Sequence, residues 1–182
     1  GVPDGQQYLR EAAASIVDDW LGTGLVPPTT VLNYKGQVGS AQLFRTGYRA
    51  AIDYAKANQI RRMNDLLGQV PEPVRRRWHL FDHVLGHTDR HVGNGMVRRA
   101  GGGLRVSLID NGLSLSETGD TWMRIAPAAG LPLAPEDTQA LERFLAHSTQ
   151  IEEDLRPFLD QDAIDFMFTR AADAFAWQRF PR

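Results

Sequence analysis

Two short polar segments, Asp89-Arg90-His91-Val92-Gly93-Asn94 and Asp110-Asn111-Gly112, flank a stretch that reads as a β-hairpin. That bracketing constrains the fold more than any other feature of the chain. Residues 95–99 form one expected strand, Ala100-Gly101-Gly102-Gly103 the turn, and residues 104–109 the antiparallel partner. Such a hairpin carries Asn94, at the start of its first strand, to the side of Asp110, at the end of its second. Upstream, residues 78–85 have the apolar spacing of a helix that Gly86 ends, so Asp89 is expected on a loop directly after that helix.

The residue types at those ends suit phosphoryl transfer. Moving the γ-phosphoryl group of ATP requires a carboxylate beside the acceptor hydroxyl and hard oxygen ligands for the Mg²⁺ that neutralises the phosphates. Mg²⁺ is commonly held by one or two carboxylates or amides together with the nucleotide. Asp89 can orient or deprotonate an acceptor, while Asn94 and Asp110 can each offer an oxygen to the metal.

Asp-Arg-His-x-x-Asn followed by aliphatic-Ile-Asp-x-Gly resembles the catalytic loop and metal-binding motif of the phosphatidylinositol 3-/4-kinase-like branch of the protein-kinase-like fold. Asp110-Asn111-Gly112-Leu113 is similar to the form found in type II phosphatidylinositol 4-kinases and related bacterial proteins. The resemblance implies an α+β, protein-kinase-like architecture: a mainly helical large lobe with a catalytic β-hairpin and a reduced or truncated small lobe. It implies that Asp89, His91 and Asn94 form the catalytic loop, with His91 shaping it, and that Asn94 and Asp110 hold metal. Arg90 is either structural or faces the phosphates. ATP and Mg²⁺ are the implied cofactors, and a hydroxyl of a protein or lipid the implied acceptor. Further upstream, an expected amphipathic helix over Gln7–Leu21 resembles the small-lobe helix that presents a glutamate, here Glu11. Residues 30–34 and 38–44, joined at Tyr34-Lys35-Gly36-Gln37, resemble the last two small-lobe strands, which lead Gln42 and Phe44 toward the nucleotide. Residues 1–46 are then the remnant of a small lobe and residues 47–182 the large catalytic lobe.

One departure from the family pattern stands out. A kinase small lobe begins with a glycine-rich loop and a strand whose lysine meets the phosphates and pairs with the helix glutamate. The two lysines of this chain, Lys35 and Lys56, both follow Glu11, and Gly1-Val2-Pro3-Asp4-Gly5 lacks the strand context of a phosphate loop. Three readings follow: a fragment or processed product, which is favoured, a minimal phosphotransferase, or an inactive pseudokinase-like binding module.

With 182 residues, 42% of them hydrophobic, the chain can enclose one sizeable core. A net charge of −2 supplies no global field for nucleic acid or anionic membrane, and the absence of cysteine excludes disulfides, thiolate metal sites and palmitoylation. No apolar run reaches membrane-spanning length and no targeting signal is visible; the expected setting is the cytoplasm or, after secretion, a host cell. Helices are expected over residues 48–55, 63–67, 71–86, 135–147 and 160–178, the last with Ile164, Phe168, Ala171, Ala172 and Phe175 on or near one face. Residues 113–130 read as an activation-segment-like stretch containing Ser114, Ser116, Thr118 and Thr121, and Trp20, Trp78, Trp122 and Trp177 as core anchors.

Two other patterns carry weaker chemistry. His79, His83 and His87 recur every four residues and raise a metal-dependent hydrolase as a second enzyme class, although the Glu of His-Glu-x-x-His is absent and Gly86 interrupts the helix. Arg61-Arg62 and Arg75-Arg76-Arg77 read as solvated helix faces balanced by the acidic residues 152–154, with no nucleic-acid partner.

Overall fold

The computed structural model describes residues 5–116, 123 and 125–180. The first helix, α1 (Gln7–Leu21), buries Ala12, Ala13, Ala14, Val17 and Leu21 along one stripe and ends where Gly22 turns left-handed, φ 68°. Next come β1 (Thr29–Tyr34) and β2 (Gln37–Gln42), an isolated antiparallel pair whose two-residue turn places Lys35 at φ 52° and Gly36 at φ 82°. Two positive φ values in a two-residue loop match the strand twist, which accounts for glycine in the second position.

A short strand β3 (Arg49–Ala50) opens the larger sheet and runs into α2 (Ala51–Ala57) and α3 (Met63–Leu67). Arg49 and Ala50, expected as helix, pair instead with Val97 and Met96. The ladder bonds supplied by the hairpin outweigh the local helical spacing there. Then follow α4 (Glu72–Leu85), a 3₁₀ turn (Val92–Asn94), β4 (Gly95–Ala100) and β5 (Gly103–Leu108), in the sheet order β3-β4-β5. Three helices close the chain: α5 (Pro135–Ala146), α6 (Ser148–Leu155) and α7 (Gln161–Trp177).

One core joins these parts. Phe81, Val84 and Leu85 of α4 meet Leu141 and Phe144 of α5, Ile164 and Met167 of α7, and the inward residues Val97, Leu104, Val106 and Leu108 of the hairpin. The loop after α1 is stitched to β5, because Leu108 N–H and Ser107 Oγ–H both donate to Leu25 O. The buried side of α7 runs through Ala163, Ile164, Met167, Arg170, Ala171 and Ala174, leaving Ala172 exposed and Phe168 and Phe175 only partly covered. Trp78 is buried as expected, but Trp177 is 54% exposed and anchors nothing in the core. Arg76 is balanced by Glu72 and Asp137, not by residues 152–154; Glu152 pairs with Arg156. Thr118, Thr121 and Trp122 lie outside the described residues, as do Gly1, Val2, Pro3 and Asp4. Among the described residues, no helix is long and apolar enough to cross a membrane.

Candidate active site

Helix α4 delivers the polar loop. Its last turn is closed by Gly86 at φ 62°, whose N–H donates to His83 O while His87 N–H reaches Asp82 O. From there the chain carries His87, Asp89, Arg90 and His91 into the 3₁₀ turn, and Ile109 N–H donates to Asn94 O at 3.1 Å, so the ladder continues one step past the paired strands. Asn94 and the Asp110-Asn111-Gly112 turn are therefore neighbours, as the hairpin reading required.

Arg90 locks that junction. Its side chain is fully buried and donates from Nε and Nη2 to Asp82, from Nη1 to Asn94 O at 3.1 Å and Ile109 O at 2.9 Å, and from Nη2 to Asn111 Oδ1 at 2.7 Å. Each of its nitrogens is thus spoken for inside the protein, so of the two roles open to Arg90 the geometry is the structural one rather than a phosphate contact. Both Asp82 oxygens accept from Arg90, and Oδ2 also accepts Trp78 Nε1–H at 2.6 Å, so this buried ion pair is fully hydrogen-bonded.

Asp89 and His91 face one another more loosely. Asp89 Oδ2 lies 4.0 Å from His91 Nε2, and both side chains are about 40% exposed, at 40% and 41%. His91 Nδ1 accepts Gly93 N–H at 3.0 Å, which leaves the ring proton on Nε2, directed at the Asp89 carboxylate. Asn94 donates from Nδ2 to Asp89 O at 3.1 Å, turning its Oδ1 the other way. Asp110 is exposed and sits at φ 58°, a left-handed backbone that aspartate tolerates better than most residues.

His87 was expected only as a member of the histidine row; the structure gives it a different place. It is fully buried, and because a carbonyl can only accept, its Nε2–H donates to Asp110 O at 3.2 Å. Burial first, and then the nearby Arg90 charge, push the imidazole down to about 4, so it is neutral at pH 7. The three histidines do not gather around a metal: His79 Nδ1 accepts Ala128 N–H, His83 Nε2–H donates to Arg170 O, and His87 serves Asp110. Among the described residues no group of three His, Asp or Glu side chains could hold one, which removes the basis of the hydrolase expectation.

Glu11 reaches the same turn from α1. Its Oε1 accepts Gly112 N–H at 2.8 Å and its Oε2 faces Asn111 Nδ2 at 3.5 Å. Burial raises its carboxyl above the usual range, with the Asp110 charge adding to the rise and the Gly112 bond opposing it. Among the described residues neither lysine forms an ion pair with it: Lys35 lies on the β1–β2 turn, 5.1 Å from the Tyr34 ring centre, and Lys56 on α2. Gln42 and Phe44 do not hydrogen-bond to this cluster; Gln42 bonds Thr29 Oγ1 across its own hairpin, and Phe44 is 74% exposed. Asp82, His87 and Asn111 are members to which sequence reasoning gave no part in this site: Asp82 and His87 figure there only beside the histidine row, and Asn111 only as part of the Asp110-Asn111-Gly112 motif. Their sole sequence signal is position, one helical turn before Gly86, two residues before Asp89, and directly after Asp110.

The architecture, a helix packed on the β1–β2 pair whose glutamate reaches the turn after β5, beside a three-stranded sheet whose hairpin ends carry the polar loops, is an α+β, protein-kinase-like fold. The Helicobacter pylori proinflammatory kinase CtkA superposes with a TM-score of 0.57 over 96% of this chain and 78% of its own, at 18% identity. HipA of the Shewanella oneidensis MR-1 toxin–antitoxin system, solved with HipB and operator DNA, gives 0.54 over 96% and 55%, at 14% identity. In sequence, the chain is 29% identical to chicken (Gallus gallus) phosphatidylinositol 4-kinase type 2-beta across 161 aligned positions, covering 64% of this chain and 31% of that protein. The chain thus spans about a third of the length of that curated relative. No protein-family signature matches it.

Proposed function

We propose that the chain is an ATP- and Mg²⁺-dependent phosphotransferase acting on a hydroxyl of a protein or lipid acceptor, with residues 1–46 as a small-lobe remnant and 47–182 as the catalytic lobe. One observation carries the reading: a single buried guanidinium, Arg90, ties Asn94 O, Ile109 O and Asn111 Oδ1 together, so that the loop bearing Asp89 and the turn bearing Asp110 are held as one rigid body. Rigid placement of charged groups is what electrostatic catalysis of phosphoryl transfer demands.

In this reading the half-exposed Asp89 carboxylate positions the acceptor hydroxyl and takes its proton, with His91 Nε2–H orienting it. Asn94 Oδ1 and the Asp110 carboxylate are hard oxygen donors suited to Mg²⁺, one neutral and one charged, on adjoining ends of the hairpin. When bound, the metal and nucleotide would supply charge neutralisation on the transferred phosphoryl group. Glu11 and His87 both hold the Asp110 turn, one through Gly112 N–H and the other through Asp110 O.

The test is a thermal-shift titration with ATP in the presence of Mg²⁺ or of chelator, followed by transfer of labelled γ-phosphate to protein and lipid acceptors. The reading requires a Mg²⁺-dependent shift that Asp110→Asn abolishes; an undiminished shift in that variant would overturn it. A second reading, a pseudokinase-like binding module, draws on the order of the chain, in which Lys35 and Lys56 both follow Glu11, and on the lack of an ion pair between Glu11 and either among the described residues. Nucleotide binding without phosphate release or transfer selects it.

A further inference from the structure

Four segments wall a cleft of about 420 Å³: the loop after α1 with Thr23, the linker with Arg45 and Tyr48, α4 with Arg77, and β5 with Arg105. None of Glu11, Asp89, His91, Asn94 and Asp110 lines this cleft, so its lining is distinct from that of the candidate active site. No aspartate or glutamate lines it. That is unusual company for three arginines in a chain whose net charge is −2.

The electrostatics are unbalanced in a second, independent way. Arg105 stands directly opposite Arg98 in the β4–β5 register, and like charges so placed destabilise a sheet. Arg98 is drawn toward the Tyr48 ring, 5.2 Å from its centre, and Tyr48 lines the cleft. Arg45 is pinned by bonds to Gly24 O at 3.3 Å and Val26 O at 2.9 Å, which fixes one cation at the rim. Arg77 and Arg105 make no ion pair or side-chain hydrogen bond among the described residues and are free to turn inward.

We propose that this cleft binds a phosphoryl or pyrophosphoryl group, held by Arg77 and Arg105 with Arg45 at the rim. Guanidinium forks match phosphate oxygens in pairs, and an anion of high charge density beside Arg105 offsets its repulsion with Arg98. The volume exceeds what a single carboxylate fills and suits a phosphorylated small molecule or a phosphorylated side chain. The site does not depend on the phosphotransferase reading.

Titration calorimetry on the full chain, in Mg²⁺-free buffer of low ionic strength, tests the assignment with two probes: inorganic pyrophosphate and a short phosphoserine peptide. Saturable binding of either supports it, and the tighter probe identifies the source of the phosphoryl group; binding of neither overturns it. Arg77→Gln/Arg105→Gln is expected to weaken binding at least about tenfold, whereas Arg61→Gln/Arg62→Gln, which removes the same charge elsewhere, leaves it unchanged. Equal weakening in both pairs would reveal nonspecific charge attraction and overturn the site. Arg105→Gln alone supplies a separate readout: in phosphate-free buffer its Tm is expected at or above that of the unsubstituted chain, and the Tm rise on adding pyrophosphate is expected to vanish. A lowered Tm together with an undiminished pyrophosphate response would sink the proposal.

Discussion

Arg90 shows how much one side chain can decide. It joins α4, through Asp82, to both ends of the hairpin, and its partner Asp82 is itself fully buried. Removing one member of such a pair strands a charge away from water, which typically costs about 3–5 kcal/mol. Arg90→Met is therefore expected to lower stability by about that much, measured as the urea midpoint, and a loss below about 1 kcal/mol would contradict the structural role. The buried histidines make a pH prediction. His83 and His87 both use Nε2–H on a carbonyl and leave Nδ1 without an acceptor, so a second proton has nowhere to bond. Their folded pKa values of about 4 lie below the unfolded 6.5, mainly through burial. Between those values the unfolded chain binds more protons, so their contribution is whole above pH 6.5 and is lost as pH falls toward 4. Glu11 and Asp18, raised by burial, act with the opposite sign at the lower end of that range. Urea midpoints are expected to fall from pH 7 to pH 5; a flat profile would show that the imidazoles are not buried as described. None of this could be read from the sequence, where Arg90 had two roles open to it and His87 belonged to a histidine row.

At the scale of elements, α1 and the Asp110 turn form one unit. A Cβ on Gly112 would stand 2.8 Å from Gln7 Cβ and 3.1 Å from Gln7 O, nearer than van der Waals contact allows. The helix approaches this closely because Glu11 must reach Gly112 N–H. Gly112→Ala is expected to push α1 outward, break that bond and cost about 1–3 kcal/mol, with faster hydrogen exchange in the first turns of α1. Unchanged exchange there would mean the helix is held by its apolar stripe alone. Much of this level was legible beforehand. The span of α1, the end of α4 at Gly86 and both hairpins follow from apolar period and glycine placement, which act over a few residues. The short strand Arg49–Ala50 was not, and the buried side of α7 was only in part, with Ile164 and Ala171 on it and Ala172 off it, because each depends on which surface arrives opposite.

Across the whole molecule, order is unevenly distributed. The β4–β5 hairpin buries Val97, Leu104, Val106 and Leu108, whereas the β1–β2 hairpin leaves Tyr34, Val38, Leu43 and Phe44 at or near it more than half exposed. A two-stranded sheet with little buried area opens readily. Amides of β1 and β2 are expected to exchange at least about tenfold faster than those of β4 and β5, read by hydrogen-exchange mass spectrometry; equal protection would require more cover for that hairpin than α1 supplies among the described residues.

The chain's own order of residues determined the helix and strand spans near the candidate site and the adjacency of Asn94 and Asp110, since a tight hairpin converts local pattern directly into proximity. Tertiary structure alone decided that Arg90 is a strut, that His87 and Glu11 both hold one turn, and that three arginines from three separated segments line one cleft. Those outcomes depend on burial and on charges brought together across long stretches of chain, and neither quantity has a local signature.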